Sequence, residues 1–248
     1  MARYFTVLKI TLRTHPNFWK KKLKYLQIYC YYGAMTLTPV KKFIEQLGIE
    51  NEGFFQKQPR WATSYWASKM DHKKTIFALR MRYWNEYRGA EVLARFMFRV
   101  SDPTLRMFVG RQIGDEAKHA FYVKKRIEEL DGEVGRPLEE QEVFYDTLDG
   151  FLYPEEFFAA QQFTVETQSI KRNEQALMNF DPTTAEIFRK YINNDEAFHV
   201  RLGHAGLAFY CITKGAQERA RQAARKIREK HVAMSLSHYH LLEREGLL

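Results

Sequence analysis

One short phrase occurs twice in this 248-residue chain, as Asp-Glu-Ala-Lys-His at 115–119 and as Asp-Glu-Ala-Phe-His at 195–199. Each phrase contains a Glu-x-x-His tetrad, and each tetrad has another glutamate thirty positions upstream. The residues of the second copy follow those of the first by 80 positions throughout. Positions three apart on an α-helix share a face, so the repeat predicts four carboxylates and two imidazoles that converge between helices. They are Glu86, Glu116, His119, Glu166, Glu196 and His199.

Chance is a poor explanation of this repeat. With 22 glutamates and 8 histidines, random order gives a chain of this length about 0.7 Glu-x-x-His tetrads. A single tetrad would therefore mean nothing. Two tetrads with the same neighbours, the same upstream glutamate and an Asp-Pro helix start before each favour a site for two metal ions.

Two Asp-Pro turns, at 102–103 and 181–182, divide the chain after Lys73, because Asp caps helices and Pro favours their first turn. We predict helices over about residues 73–100, 103–130, 154–180 and 182–213. The stretch 131–153 is too long for a tight turn and predicts the crossover of a four-helix bundle. Residues 215–245 predict a further helix packed outside the bundle, and two or three helices are expected before Lys73.

We interpret residues 1–248 as a single all-α domain. It comprises a basic helical N-terminal extension (1–72), a dimetal four-helix bundle (73–213) and a C-terminal helix (214–248). Only Cys30 and Cys211 are present, so neither a disulfide framework nor a cysteine-ligated metal is supported. The uncharged stretch 25–40 is too short to span a membrane and follows no signal peptide, which favours a soluble, cytoplasmic protein.

The net charge of +9 lies entirely in residues 1–73, which hold 13 Lys/Arg and 4 Asp/Glu. Its densest part is the segment 18–26, where Lys20, Lys21, Lys22 and Lys24 lie among aromatic residues. Such a surface suits an acidic partner: a membrane, an acidic carrier protein, an acidic electron donor or nucleic acid. A solvated basic face with its aromatics packed on the bundle is an equally good interpretation.

The predicted ligands interrupt apolar helical stripes, since Glu86 and Glu116 each stand alone among apolar residues at spacings of three and four. A carboxylate in such a stripe must be protonated, paired or bound to metal. Four close carboxylates would repel one another in a core, and two divalent cations remove that repulsion.

Asp115 and Asp195 precede the tetrad glutamates, and we predict that they orient the ligating imidazoles through the free ring N–H. Glu91 lies beside Arg88 and is interpreted as half of a surface ion pair rather than as a ligand.

Several other polar residues are assigned smaller roles. Three lie one turn from ligands and could hydrogen-bond a bound oxygen intermediate: Gln112, Gln162 and Ser169. Three histidines are interpreted as satisfied or exposed side chains: His204, His238 and His240.

Over about residues 73–213 the chain resembles the ferritin-like diiron carboxylate superfamily. The resemblance implies a ferritin-like four-helix bundle with two Fe ions, Mn being possible, and O2 as co-substrate. It implies single carboxylate ligands at Glu86 and Glu166, bridging ligands at Glu116 and Glu196, and terminal ligands at His119 and His199. Val123 stands where ribonucleotide reductases carry a radical tyrosine, so radical storage of that kind is not expected.

The resemblance implies an O2-activating oxidoreductase that hydroxylates, epoxidises or desaturates an apolar or carrier-bound organic substrate. Two alternatives stay open: a ferroxidase or peroxide-disposing protein, and a non-catalytic bundle that metals stabilise. No dinucleotide fingerprint or cysteine cluster occurs, so electrons would come from an external donor, a reductase or ferredoxin. Members of the superfamily are often homodimers, which is the expected state here.

Overall fold

The computed structural model describes residues 38–59 and 68–248, and all regular structure in these two stretches is helical. The all-α prediction is thus confirmed. Seven helices follow one another: α1 (Thr38–Gln56), α2 (His72–Phe96), α3 (Pro103–Glu129), α4 (Glu139–Asp149), α5 (residues 154–179), α6 (residues 182–210) and α7 (Lys214–Arg244). A single 3₁₀ turn, Met97–Arg99, follows α2.

Some sequence predictions fall on residues outside the described stretches. These are the basic segment 18–26 with Lys20, Lys21, Lys22 and Lys24, and Cys30. Of the helices predicted before Lys73, α1 lies within the described part of the chain. None of the described helices combines the length and the apolarity that crossing a membrane requires.

Side-chain caps set the helix starts where the Asp-Pro turns predict them. Asp102 accepts a hydrogen bond from the backbone N–H of Leu105, and Asp181 accepts from those of Thr183 and Thr184. Such caps satisfy amide groups that the first turn of a helix leaves unpaired. The starts of α2, α3, α5, α6 and α7 consequently lie within one residue of their predicted positions.

Two helices contain π-helical segments that the sequence pattern does not predict. In α5 the segment Phe158–Val165 ends directly before Glu166, and in α6 the segment Phe188–Ile192 ends four residues before Glu196. A π-helical turn is wider than an α-helical one and changes which face the following residues present. In both helices it therefore adjusts the direction of the predicted ligands that follow.

The crossover between α3 and α5 holds α4, which packs against α2 and α7. Helix α7 packs along the π-helical segment of α5 as well as on α4. Its buried face includes Ala220, Ala223, Ala224 and Ile227, and such small side chains let helices approach closely. The C-terminal helix thus packs on α4 and α5 and adds its buried face to the core.

Two apolar clusters lie along the length of the helices, and the predicted ligands fall between them. One cluster includes Val92 and Leu93 of α2 with Val109 of α3, and the other includes Met81 of α2 with Val123 of α3. Glu86 lies between Met81 and Val92, and residues 116–119 lie between Val109 and Val123. The polar cluster is thus closed off from solvent at both ends by apolar packing.

Gly206 of α6 tests how closely α5 and α6 pack. A Cβ at this position would lie 2.3–2.5 Å from ring atoms of Phe158, whose side chain is 0 % exposed and cannot move away. We expect Gly206→Ala to lower the free energy of unfolding by about 1–3 kcal/mol, measured by urea denaturation.

Gly114 of α3 is the matched control, because a Cβ there meets nothing within 4 Å and the residue is exposed. Gly114→Ala should raise the free energy of unfolding by about 0.5–1 kcal/mol, since alanine favours a helix interior. Equal changes in the free energy of unfolding for the two substitutions would contradict the close approach of α5 and α6 at Gly206.

Candidate metal centre

The six predicted ligands converge at one point between α2, α3, α5 and α6. Helix α2 contributes Glu86, α5 contributes Glu166, and α3 and α6 each contribute a Glu-x-x-His pair. All six side chains are buried, with at most 5 % of any residue exposed. The 80-residue repeat thus corresponds to one buried cluster in space.

Two triads within this cluster have the spacing of metal ligands. Glu86, Glu116 and His119 form the first, and Glu116, Glu166 and His199 form the second, with the ligand atoms of each triad within 4.8 Å of one another. Bond lengths of about 2.0–2.2 Å to an ion place its ligand atoms roughly 3–4 Å apart. The spacing therefore fits one ion in each triad.

Glu116 belongs to both triads, and its two carboxylate oxygens face different histidines. Oε2 lies 3.6 Å from Nδ1 of His119, and Oε1 lies 3.4 Å from Nδ1 of His199. His119 Nδ1 also lies 3.1 Å from Glu86 Oε2, and His199 Nδ1 lies 3.8 Å from Glu166 Oε2. Glu116 thus lies between the two histidines with one carboxylate oxygen towards each, a position compatible with the bridging role that the resemblance implies.

Several buried polar atoms of the cluster lack a hydrogen-bond partner within the described residues. They include Oε2 of Glu196 and both ring nitrogens of His199. An unpaired buried donor or acceptor costs about 1–3 kcal/mol. Asp115 lies behind Nε2 of His199, so the atom that faces the glutamates and needs a compensating ligand is Nδ1 of His199. A bound cation would supply it, and these donor types fit that group.

Arg82 is a member of the cluster that the sequence did not reveal. Its guanidinium is buried, forms ion pairs with Glu86 and Glu196, and donates a hydrogen bond of 3.2 Å to Oδ1 of Asn173. Glu196, for which the resemblance implies a bridging role, belongs to neither triad: it pairs with Arg82 through Oε1, and its Oε2 lies 3.7 Å from Nδ1 of His199. Arg82 lies four residues before Glu86, a spacing that brings helical side chains together and could have indicated the pair.

Asp115 and Asp195 lie behind the histidines in a crossed arrangement. Asp195 of α6 lies 3.3 Å from Nε2 of His119 on α3, and Asp115 of α3 lies 3.6 Å from Nε2 of His199 on α6. Each aspartate thus faces the histidine of the opposite copy of the repeat, and Nδ1 of each imidazole faces the glutamates.

Two basic residues connect these aspartates. Arg111 lies 3.3 Å from Asp115 and 3.4 Å from Asp195, and Lys118 forms ion pairs with both. Two positive and two negative charges together make a neutral layer between the histidines and solvent. The position of Asp195 beside His119 and Lys118 lowers the pKa of its carboxyl, although burial acts in the opposite direction.

Two glutamine side chains hydrogen-bond to the cluster directly, and a third supports one of them. Gln112 donates to Glu116 Oε1 at 3.1 Å and to Glu166 Oε1 at 2.9 Å, and Gln162 donates to Gln112 at 3.3 Å. Gln161, which the sequence did not single out, donates to Glu166 Oε1 at 3.0 Å. These amides hold Glu116 and Glu166 in place from the side of α3 and α5.

Two of the four carboxyl groups in the cluster, those of Glu86 and Glu166, resist ionisation when no cation is bound. Burial, together with the charge of Glu116, raises the pKa of Glu86 to about 7, although Arg82 acts in the opposite direction. Burial and the charges of Glu196 and Glu116 raise the pKa of Glu166 well above its usual range. Although burial acts to raise both values, the charge of His199 lowers the pKa of Glu116 and the charge of Arg82 lowers the pKa of Glu196.

A cavity of about 60 Å³ adjoins the cluster and is lined by all four glutamates. Its other walls come from α4, α5 and α7 and include Tyr145, Ser169, Arg172, Asn173, His231 and His238. His238, interpreted from the sequence as a satisfied or exposed side chain, is buried and lines this cavity, and its Nε2 has no partner within the described residues. His240 is exposed beside Glu243 as predicted, and the predicted pair of Arg88 with Glu91 is confirmed.

No protein-family model and no curated protein matches this chain. Solved structures do match it. A TenA homologue from Pyrococcus furiosus is 15% identical with a TM-score of 0.62, and the match covers 79% of this chain and 99% of that one. A TenA homologue from Pseudomonas syringae pv. tomato is 13% identical with a TM-score of 0.61, and the match covers 82% of this chain and 93% of that one.

These matches correct the family and the activity that the motifs suggested. The assignment to the ferritin-like diiron carboxylate superfamily is wrong, because the matching structures are TenA homologues. The O2-activating oxidoreductase, or monooxygenase, was inferred from that superfamily and is wrong with it, and its two alternatives gain no support. A Glu-x-x-His repeat specifies side-chain spacing on two helices and leaves open how the other helices surround them. At these levels of identity the matches establish architecture, and the chain has a TenA-like helical fold.

Proposed function

We propose that this chain is a metal-dependent enzyme that binds two divalent cations, iron or manganese, in the buried cluster. Glu86, Glu116 and His119 bind one cation, and Glu116, Glu166 and His199 bind the other. The observation that carries the proposal is the position of Glu116, whose two oxygens face the two histidines at 3.6 and 3.4 Å.

The donor set favours these metals. Carboxylate oxygens with one imidazole nitrogen for each ion, and no thiolate among the ligands, suit iron or manganese better than softer ions. Asp115 and Asp195 fix the orientation of the imidazoles, as carboxylates commonly do behind ligating histidines. When bound, a pair of such cations supplies Lewis acidity and lowers the pKa of a bound water.

The adjoining cavity supports a catalytic rather than a purely structural site. Structural metal sites are usually closed by protein ligands on all sides, whereas catalytic sites keep an open position. Here the four glutamates form one wall of a chamber whose other walls combine polar and apolar side chains. The chain thus has room for a small substrate beside the ligands.

Metal analysis of reconstituted protein tests the proposal. After anaerobic loading with Fe²⁺ or Mn²⁺ and removal of excess ions, elemental analysis should find two ions per chain. Because the ions bind the folded chain, free metal at a hundred times its Kd should stabilise the protein by about 2.7 kcal/mol for each site. Mg²⁺, which prefers an octahedron of oxygens, should bind much more weakly. Fewer than one ion per chain after loading would reject the proposed function.

A further inference from the structure

One wall of the chamber carries two buried histidines, both on α7. His231 and His238 are each 5 % exposed and both line the cavity. Nδ1 of His231 and Nε2 of His238 have no hydrogen-bond partner in the described part of the chain. Buried polar atoms are nearly always paired, so two unpaired ones at the same cavity indicate a ligand that pairs them.

Neighbouring side chains hold this wall in place. The ring of His231 packs edge-on against Phe55 and Phe144, with centroids 5.5 and 6.1 Å apart. Arg172 of α5 also lines the cavity and donates a hydrogen bond of 2.9 Å to Ser235, which in turn donates to the backbone oxygen of His231. The binding groups are therefore oriented before any ligand arrives.

The charge of the chamber depends on the metal ions. Its lining holds four glutamates and two arginines, Arg82 and Arg172, which give a formal charge of −2 when all are ionised. Two divalent cations change this charge to +2. Electrostatic interactions are strong in a buried site, so the metal-loaded chamber attracts an anion much more strongly than the metal-free chamber does.

The size of the chamber limits the ligand. A cavity of roughly 150 Å³ accepts benzene, so about 60 Å³ holds only a few non-hydrogen atoms. A second cavity of about 130 Å³, lined by Phe55, Gln168 and Lys171 among others, shares Arg172 and His231 with the first. The two cavities are therefore neighbours, with Arg172 and His231 between them.

We propose that the substrate is a small organic acid whose carboxylate binds to Arg172, His231 and His238, with its short chain directed at the glutamate cluster. The inference rests on the proposed dimetal function, whose ions provide the positive charge that the anion requires. A carboxylate offers two acceptor oxygens, which the guanidinium and the two imidazoles can share as donors.

Calorimetric titration of the Mn²⁺-loaded protein with acetate and with propionate tests the inference. The wild type should bind both acids, and the metal-free protein should bind neither. Arg172→Gln, His231→Gln and His238→Gln should each weaken binding about tenfold or more, because each removes a hydrogen bond to a charged group. Arg225→Gln and His240→Gln, both exposed on α7, are the matched controls and should leave binding unchanged.

The metal content of each variant is measured before titration, which separates the two proposals. A wild type that holds two ions but binds no carboxylate overturns this inference and leaves the proposed function intact, whereas a wild type without ions overturns both. Three other results also overturn this inference. They are equal binding by the metal-free and the metal-loaded protein, unchanged binding by all three variants, and tighter binding of inorganic phosphate than of either carboxylate. Thermal melting identifies any variant that fails to fold. The carboxylate affinities of the remaining variants then test the inference.

Discussion

Replacing Arg82 by methionine should destabilise the metal-free protein by about 3–5 kcal/mol, because it leaves buried carboxylates without their countercharge. Arg82 forms ion pairs with Glu86 and Glu196, and all three side chains are at most 10 % exposed. Methionine keeps much of the side-chain volume, so the loss reports mainly on charge and hydrogen bonding. Urea denaturation of the chelator-treated wild type and the chelator-treated variant measures this loss in the free energy of unfolding.

The same substitution should cost clearly less in the metal-loaded protein, because bound cations supply the charge that the guanidinium provides in their absence. The informative quantity is the difference between the two losses, each measured against the wild type in the same metal state. Arg95→Met is the control, since Arg95 pairs with Asp149 on the surface and such pairs contribute about 0–1 kcal/mol. Equal losses with and without metal would contradict the shared role of Arg82 and the cations.

Arg82 explains how the cluster can form before metal binds. Four buried carboxylates with no cation would oppose folding, as in small domains that stay unfolded without their metal. Here one guanidinium neutralises part of that charge, and the raised pKa values of Glu86 and Glu166 show that their carboxyl groups favour the protonated form. The metal-free chain therefore keeps the ligands close together, which reduces the rearrangement that metal binding requires.

The ligand cluster could be predicted from the sequence because helical periodicity places it. Glu116 and His119 are three residues apart on one helix, and apolar residues before and after them fix the buried face. The Asp-Pro caps likewise fix where α3 and α6 begin. Both signals depend on residues within a few positions of one another, which a single sequence shows directly.

The surroundings of the cluster could not be predicted, because they depend on contacts between residues far apart in the chain. Arg82 and Asn173 meet across 91 positions, and His231 contacts Phe55 across an even longer separation. Nor does any local pattern indicate that α7 lines the cavity, since an amphipathic helix suits an outer or an inner wall equally. The wrong family assignment has the same cause, because the repeat describes the ligands and the fold depends on how all seven helices pack.

Replacing Glu116 by glutamine should remove both metal ions, whereas Glu86→Gln and Glu166→Gln should each remove one. The reason is geometric, because Glu116 is the only one of these residues that belongs to both triads. Glutamine keeps the size of the side chain but loses the negative charge and one carboxylate oxygen, so it cannot bridge two cations. Elemental analysis of the reconstituted variants measures the ion count directly.

Two further variants make this test discriminating. Glu91→Gln should retain both ions, since Glu91 pairs with Arg88 outside the cluster. Glu196→Gln should retain both ions as well, because Glu196 is paired with Arg82 and belongs to neither triad. If Glu196 bridged the two ions, this variant would lose them. A Glu116→Gln protein that kept one ion would show that the two sites are independent, and the shared carboxylate would then be wrong.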